Sequence, residues 1–221
     1  MIKDLFFTEK DVQEHLRCVY GTLALGLIAA TIGAWLHLFT DFLRTNFYIS
    51  FGSILLMLML LKTPHTAENE RKRLGYFFGF CALSGISSGP LIEKALIVDP
   101  STIFTAFLAT AVIFGCFTLA ALHAPSTKFL HLGGLISSGL LFVVITAFFS
   151  RSAFMNTACF WLAFVINCAL VLYDTQLICE KRRRGDTDYV WHTVELFIDF
   201  VNLFNYILVL INDKKVGFWE F

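Results

Sequence analysis

Long apolar runs, separated by short charged patches, constrain this chain more than any other feature of its 221 residues. A helix needs about 20 apolar residues to cross a bilayer, and lipid tolerates only helices or closed barrels. Seven runs are close to that length: residues 18–39, 47–61, 74–91, 102–122, 129–149, 153–179 and 191–211. The pattern therefore predicts an all-α membrane protein with a bundle of seven transmembrane helices.

Composition supports one membrane domain. Hydrophobic residues make up 57% of the chain and charged residues only 15%, whereas soluble domains carry about 25% charged residues. The formal net charge is zero, which argues against a nucleic-acid partner, because such a partner requires a basic surface. We divide the chain into an N-terminal arm (residues 1–17), the transmembrane domain (18–211) and a short tail (212–221).

The cysteines and histidines do not predict a resident metal or cofactor. Six cysteines are present, and none of them forms a C-x-x-C pair. The six histidines show no zinc-ligand spacing such as H-E-x-x-H. We therefore expect no bound cofactor.

The distribution of Lys and Arg predicts the orientation in the membrane. With seven spans, the N-terminal side of the bilayer holds 12 of these residues and the opposite side holds 5. Because cytoplasmic loops carry the excess of Lys and Arg, the N-terminus is predicted to be cytosolic. The acidic seventh run could span the membrane or re-enter it, so the side of the C-terminus stays open.

Three acids inside the last two runs are the most informative residues. A charged side chain at the centre of a transmembrane helix costs about 2.5–3.5 kcal/mol and usually faces a wet interior. At 1.5 Å per residue, Asp174 lies about 9 Å and Asp199 about 13 Å from the same membrane face. Their helices are joined by a short loop and must be antiparallel. The side chains of Asp174 and Asp199 could therefore meet, with Glu195 one turn nearer the surface.

The seventh run also carries a polar stripe. His192, Glu195, Asp199, Asn202 and Tyr206 recur at spacings of three and four, which places them on one helix face. In the sixth run, Asn167 lies seven residues before Asp174 and shares its face. We consider Glu195, Asn202, His192 and Asn167 candidate pore-lining residues.

Two close carboxylates cannot both ionise cheaply, so they share a proton or bind a cation. Such a pair titrates as a unit, and ligands that are all oxygen favour a hard cation such as Ca²⁺. Asp174 and Asp199 are thus a candidate pH-sensing site that binds Ca²⁺ transiently. The alternative is that each acid pairs with a basic residue at a helix end.

A glycine motif in the third run has two interpretations. Residues 85–89 read G-I-S-S-G, and small residues at this spacing let membrane helices approach closely. The same residues match the G-x-S-x-G pattern of serine hydrolases, with Ser87 as nucleophile and His131 as the nearest candidate base. Packing is the simpler interpretation, and we do not expect an enzyme.

Several longer motifs resemble the Bax inhibitor family, also called the transmembrane Bax inhibitor motif family. They are K-T-P-H at 62–65, E-R-K-R-L-G at 70–75, G-I-S-S-G-P at 85–90, D-P-S at 99–101, F-T-L-A at 117–120, Y-D-T-Q-L-I at 173–178, G-D-T-D-Y-V-W-H at 185–192 and L-F-I-D-F at 196–200. They follow the family's order over nearly the whole chain.

The resemblance implies seven helices with the C-terminal helix at the centre. It also implies a pH-sensitive Ca²⁺ leak from the endoplasmic reticulum and suppression of stress-induced cell death. Within the family a pair of aspartates on the last two helices senses pH, and these match Asp174 and Asp199. A latch arginine near the end of the second helix has Arg71 and Arg73 as its nearest counterparts here.

Other functions remain open. The chain could be a Ca²⁺ leak channel or a Ca²⁺/H⁺ exchanger, with Ca²⁺, protons and the lipid bilayer as its partners. It could instead be a non-conducting scaffold that binds death-regulating membrane proteins or Ca²⁺ release channels.

Overall fold

The computed structural model describes residues 2–40, 47–124, 128–149 and 152–219, and these ranges contain helices and no strand. The helices are α1 (Ile2–Phe39), α2 (Phe47–Lys62), α3 (Glu70–Val98), α4 (Ser101–His123), α5 (Gly133–Phe149), α6 (Ala153–Arg183) and α7 (Tyr189–Trp219). A 3₁₀ turn, Leu130–Leu132, leads directly into α5. The predicted seven-helix fold is confirmed.

Six of the seven helices are long and apolar enough to cross a membrane, and α2 is a shorter apolar helix. The predicted N-terminal arm is largely the beginning of α1, which is helical from Ile2 onward. The connection between the fifth and sixth runs, at residues 150–151, lies outside the described residues.

Helix α7 is unbroken from Tyr189 to Trp219. Its apolar segment Tyr189–Asp213 has 25 residues, which is about 38 Å of helix against about 30 Å of hydrocarbon. This length favours a full span over a re-entrant segment, despite the acids that the helix carries.

Helix α7 is also the centre of the bundle. It packs against α1, α3, α4 and α6, while α2 packs on α3 and α5 on α6. Leu196, Phe197, Leu203 and Leu208 of α7 are fully buried. The outer helices instead expose Leu, Ile and Phe side chains, as expected for surfaces that face lipid. The predicted central position of the C-terminal helix is confirmed.

Helices α1 and α3 pack backbone to backbone through glycines. A Cβ added at Gly85 would lie 1.9 Å from the Ala30 carbonyl oxygen, and one added at Gly33 would lie 2.0 Å from that of Ala82. At Gly89 a Cβ would lie 2.2 Å from Cγ of His37. The packing interpretation of the G-x-x-x-G motif is therefore confirmed, and Gly33 is its counterpart on α1.

The loop between α6 and α7 aligns the two acid-bearing helices. Gly185 adopts a φ of +99°, a conformation that a residue without Cβ reaches at no steric cost. The Asp188 side chain then caps α7 by accepting a hydrogen bond of 3.0 Å from the Trp191 amide. The chain reverses within residues 184–188, so α6 and α7 run antiparallel.

Candidate functional site: a carboxyl pair between α6 and α7

The structure places the carboxyl groups of Asp174 on α6 and Asp199 on α7 close enough to interact directly. Asp199 is buried, with 3% of its surface exposed, and Asp174 is half-buried. Two carboxyl groups can be hydrogen-bonded to each other only if at least one is protonated. Such an arrangement can hold a proton between the two helices, or a cation in its place.

One buried oxygen of the pair has no hydrogen-bond partner among the described residues. Oδ2 of Asp199 is buried and makes no hydrogen bond within the described residues. A buried carboxylate oxygen without a donor is costly, and it leaves a free lone-pair site for a proton, a water molecule or a metal ion. This orphaned oxygen is the structural feature that most favours ligand binding.

Glu195 lies on the side of the pair nearer the α6–α7 loop. Its Oε1 is 2.9 Å from Nζ of Lys181 and also accepts a 2.9 Å hydrogen bond from the Trp191 indole. The charges of Glu195 and Lys181 act on Asp174 with opposite sign. Glu195 therefore fits the alternative interpretation, in which an intramembrane acid pairs with a basic residue at a helix end.

The amides of the site lie on the other side of the pair. Asn167 of α6 is buried and its Nδ2 donates a 2.8 Å hydrogen bond to the Ala163 carbonyl. Asn202 and Tyr206 of α7 line a cavity of about 240 Å³ together with Phe160 of α6. This part of the polar stripe faces α6, as Asp199 does, and gives the helix pair a partly polar seam.

His192 has a different position. It is completely buried and its Nδ1 lies 2.8 Å from Nε2 of His15 on α1. The first residue of the polar stripe therefore faces α1, away from the carboxyl pair. Sequence reasoning missed His15, because 177 residues separate it from its partner and no local pattern connects the two.

The two latch candidates differ in their surroundings. Arg71 is exposed. Arg73 is buried, and its Nη2 lies 2.5 Å from Oδ2 of Asp188 in the α6–α7 loop. The Arg73 guanidinium thus pairs with the cap of α7 at its first turn, while Lys181 is the cation beside the carboxyl pair. Neither Asp188 nor Lys181 was singled out from the sequence.

The donor set suits a weakly held hard cation. In the described ranges, no group of three or more His, Cys, Asp or Glu side chains is placed to hold a metal ion. Two carboxyl groups fall short of the six to eight oxygen ligands that Ca²⁺ takes, so water or backbone oxygens would complete its shell. Such a site is compatible with a passing ion and incompatible with a tight structural one.

The two residues of the hydrolase alternative lie apart. Ser87 is exposed on the helix α3, and His131 is exposed in the turn before α5. Helix α3 packs on α1, α2, α4 and α7, whereas α5 packs on α6. The motif that suggested a nucleophile is a continuous helix and lacks the strand-to-helix turn of hydrolases.

Six helices arranged around the central helix α7, with Asp174 of α6 facing Asp199 of α7, define a polytopic membrane protein with an ionisable site between its last two helices. The sequence profile described as "Inhibitor of apoptosis-promoting Bax1" matches residues 12–216. The chain belongs to this family, the Bax inhibitors.

Curated relatives from animals and plants support the assignment. "Bax inhibitor 1" of Homo sapiens is 40% identical over 210 residues, which cover 92% of this chain and 89% of the relative. "Probable Bax inhibitor 1" of Paralichthys olivaceus is 42% identical over 207 residues, covering 91% and 87%. "Bax inhibitor 1" of Arabidopsis thaliana is 40% identical over 203 residues, covering 90% and 81%.

Proposed function

We propose that this protein is a pH-sensitive Ca²⁺ leak pathway of the endoplasmic reticulum membrane, working as a channel or as a Ca²⁺/H⁺ exchanger, and that it suppresses stress-induced cell death. The single observation that carries the proposal is the contact between Asp174 and Asp199 at the buried interface of α6 and α7. The names of the relatives support the suppression of cell death.

The proposed mechanism is competition for the same oxygens. With a proton between the carboxyl groups, α6 and α7 are held together and the seam is closed. When the proton leaves, two carboxylates repel each other unless a cation replaces it. Ca²⁺ is the cation that hard oxygen ligands favour, so protons and Ca²⁺ exclude one another at this pair. Acidification would therefore change the leak by displacing bound Ca²⁺.

Neighbouring residues have graded roles in this mechanism. Glu195 would attract Ca²⁺ from the cytosolic side, and its ion pair with Lys181 would have to open for that purpose. Asn202 and Asn167 would offer neutral oxygens farther along the seam. The N-terminus is proposed to be cytosolic, which also places Lys181 and the α6–α7 loop on the cytosolic side.

The experiment that tests the function is reconstitution. Purified protein is placed in liposomes loaded with Ca²⁺, and release is followed with an external fluorescent indicator at neutral and acid pH. The proposal expects release above that of empty liposomes and a rate that changes with pH. Liposomes that retain their Ca²⁺ at every pH would support the scaffold alternative, in which the chain acts only by binding other membrane proteins.

A further inference from the structure

A second buried polar site connects α7 to α1. Nε2 of His15 and Nδ1 of His192 are 2.8 Å apart, and the two rings meet edge to face with centroids 5.1 Å apart. His192 is fully buried and His15 is 8% exposed. One turn farther along α1, the Val19 carbonyl lies 3.3 Å from the Thr193 hydroxyl of α7, which is the next polar link between these helices.

The geometry limits how many protons this pair can hold. A neutral imidazole has one N–H and one bare nitrogen, and an imidazolium has two N–H groups. One donor therefore faces one acceptor when both rings are neutral and also when only one is charged. When both rings are charged, two N–H groups point at each other across 2.8 Å. The second proton thus removes the hydrogen bond and places two like charges in a buried contact.

The charged groups around the pair come from three neighbouring elements. Helix α6 contributes two cations, the α6–α7 loop contributes two carboxylates, and the α2–α3 connection contributes a third histidine. These residues are Lys181, Arg182, Asp186, Asp188 and His65. The cations and the third histidine oppose a second positive charge, and the carboxylates favour the first one.

Asp186 is the counter-ion best placed to receive that first charge. Its Oδ2 lies 3.6 Å from Nε2 of His192, a buried nitrogen without a hydrogen-bond partner in the described part of the chain. Burial raises the pKa of Asp186, but the hydrogen bond from the Asp188 amide and the charges of His192 and Lys181 outweigh it and hold the pKa below its usual value. Asp186 therefore keeps its negative charge at the mildly acid pH at which histidines become protonated.

We propose that His15 and His192 form a proton-binding site, separate from the carboxyl pair, that holds α1 against α7 with up to one proton and releases them when it binds a second. The site lies near the α6–α7 loop, on the side where Lys181 and Arg73 are found. The proposal does not depend on whether the chain conducts Ca²⁺, because it concerns the distance between α1 and α7.

The test is a distance measurement by pulsed electron paramagnetic resonance. Spin labels are attached to cysteines introduced at Gln13 of α1 and at Thr187, just before α7, both of which are exposed. The exposed native cysteines, Cys18 and Cys116, are replaced by serine. Distance distributions are recorded in nanodiscs between about pH 8 and pH 4, because burial and neighbouring cations oppose the second positive charge and move its binding below the usual range of histidines.

Four proteins give the decisive comparison. The spin-labelled protein that retains both histidines should gain a longer-distance component on acidification. The double variant His15→Gln with His192→Asn keeps amide groups at the two facing nitrogens, which do not titrate, and should lose that component. The control His123→Gln alters an exposed histidine of α4 and should keep it. Asp174→Asn with Asp199→Asn should also keep it, because the carboxyl pair is a separate site.

Two results would overturn the proposal. One is that the spin-labelled protein with both histidines gives the same distance distribution at both ends of the pH range. This result does not depend on whether any histidine or aspartate variant folds. The other is a longer-distance component that survives in the double histidine variant and disappears in the double aspartate variant. That outcome would make the carboxyl pair the sole proton sensor.

Discussion

At the scale of the residue, the ion pair between buried Arg73 and half-buried Asp188 is the shortest one in the described part of the chain. Asp188 accepts from the Arg73 guanidinium with one oxygen and caps α7 with the other. Nε and Nη1 of Arg73 have no hydrogen-bond partner among the described residues. Removing Asp188 would therefore leave a buried cation almost without partners.

We predict that Asp188→Ala destabilises the protein by about 3 kcal/mol, since breaking a buried ion pair strands one charge. Thermal unfolding in detergent, followed by size-exclusion chromatography after heating, measures the change. The matched control is Asp213→Ala, which removes an exposed carboxylate of α7 and should shift the unfolding temperature little. Equal shifts for the two variants would show that the Arg73 contact contributes no stability.

A second prediction at this scale concerns Glu195. Glu195→Gln removes a charge that Lys181 neutralises in the closed arrangement, so we expect a slower Ca²⁺ leak that still responds to pH. Because the Glu195 charge also acts on Asp174, its loss should move the pH of half-maximal effect to a lower value. Lys181→Met should instead leave Glu195 unpaired and alter the leak in the opposite direction. Leak rates against pH in proteoliposomes test both variants. A loss of the pH response in Glu195→Gln would make Glu195 part of the sensor itself.

Single residues show where sequence reasoning reaches its limit. Asp174 and Asp199 could be paired in advance, because a short loop joins their helices and fixes their relative depth. Arg73 and Asp188 are 115 residues apart, and His15 and His192 are 177 apart. Such contacts depend on how helices that are distant in sequence pack together, and the periodicity within one helix carries no information about that packing.

At the scale of the element, α1 and α3 form the closest helix pair, and glycines make that approach possible. We predict that Gly85→Val separates the two helices, because even its Cβ would lie 1.9 Å from the Ala30 carbonyl oxygen. Overpacking of this kind costs about 1–3 kcal/mol. The control Gly115→Val lies in α4, where a Cβ would meet nothing within 4 Å.

Unfolding temperatures of the two glycine variants distinguish packing from propensity. Both substitutions place the same β-branched side chain in a transmembrane helix, so the intrinsic effect on the helix is shared. A larger loss for Gly85→Val is the expected result. If the two variants unfold at the same temperature, the close approach of α1 and α3 is not essential to the bundle.

The helices themselves were the most predictable elements. Helices α1, α3, α4, α6 and α7 each enclose the apolar run that predicted them, because lipid requires a minimum length of continuous helix. Helix α5 begins at Gly133, four residues inside its predicted run of 129–149. The helix ends were less predictable: α1 begins at Ile2 and α3 extends to Val98. Polar residues can continue a helix beyond the hydrocarbon region, so hydropathy does not indicate where the helix ends.

At the scale of the whole molecule, the orientation in the membrane follows from the charge count and the number of spans. We predict a cytosolic N-terminus and, because α7 is long enough to cross, a C-terminus on the opposite side. Protease protection of tags at each end, in sealed microsomes, checks both. Two accessible tags would mean that α7 does not cross the bilayer, and a protected N-terminal tag would reverse the orientation.

The coupling of the two aspartates is the central claim, and Ca²⁺ flux against pH in proteoliposomes tests it most directly. The proteins compared are the unmodified chain, Asp174→Asn, Asp199→Asn, the double variant and the exposed control Asp213→Asn. The account predicts that each single variant loses most of the pH response, that the double variant is little worse than either single one because the residues act as a unit, and that the control responds normally. Independent, additive effects of the two substitutions would contradict it, because they would show that Asp174 and Asp199 do not share a proton or an ion.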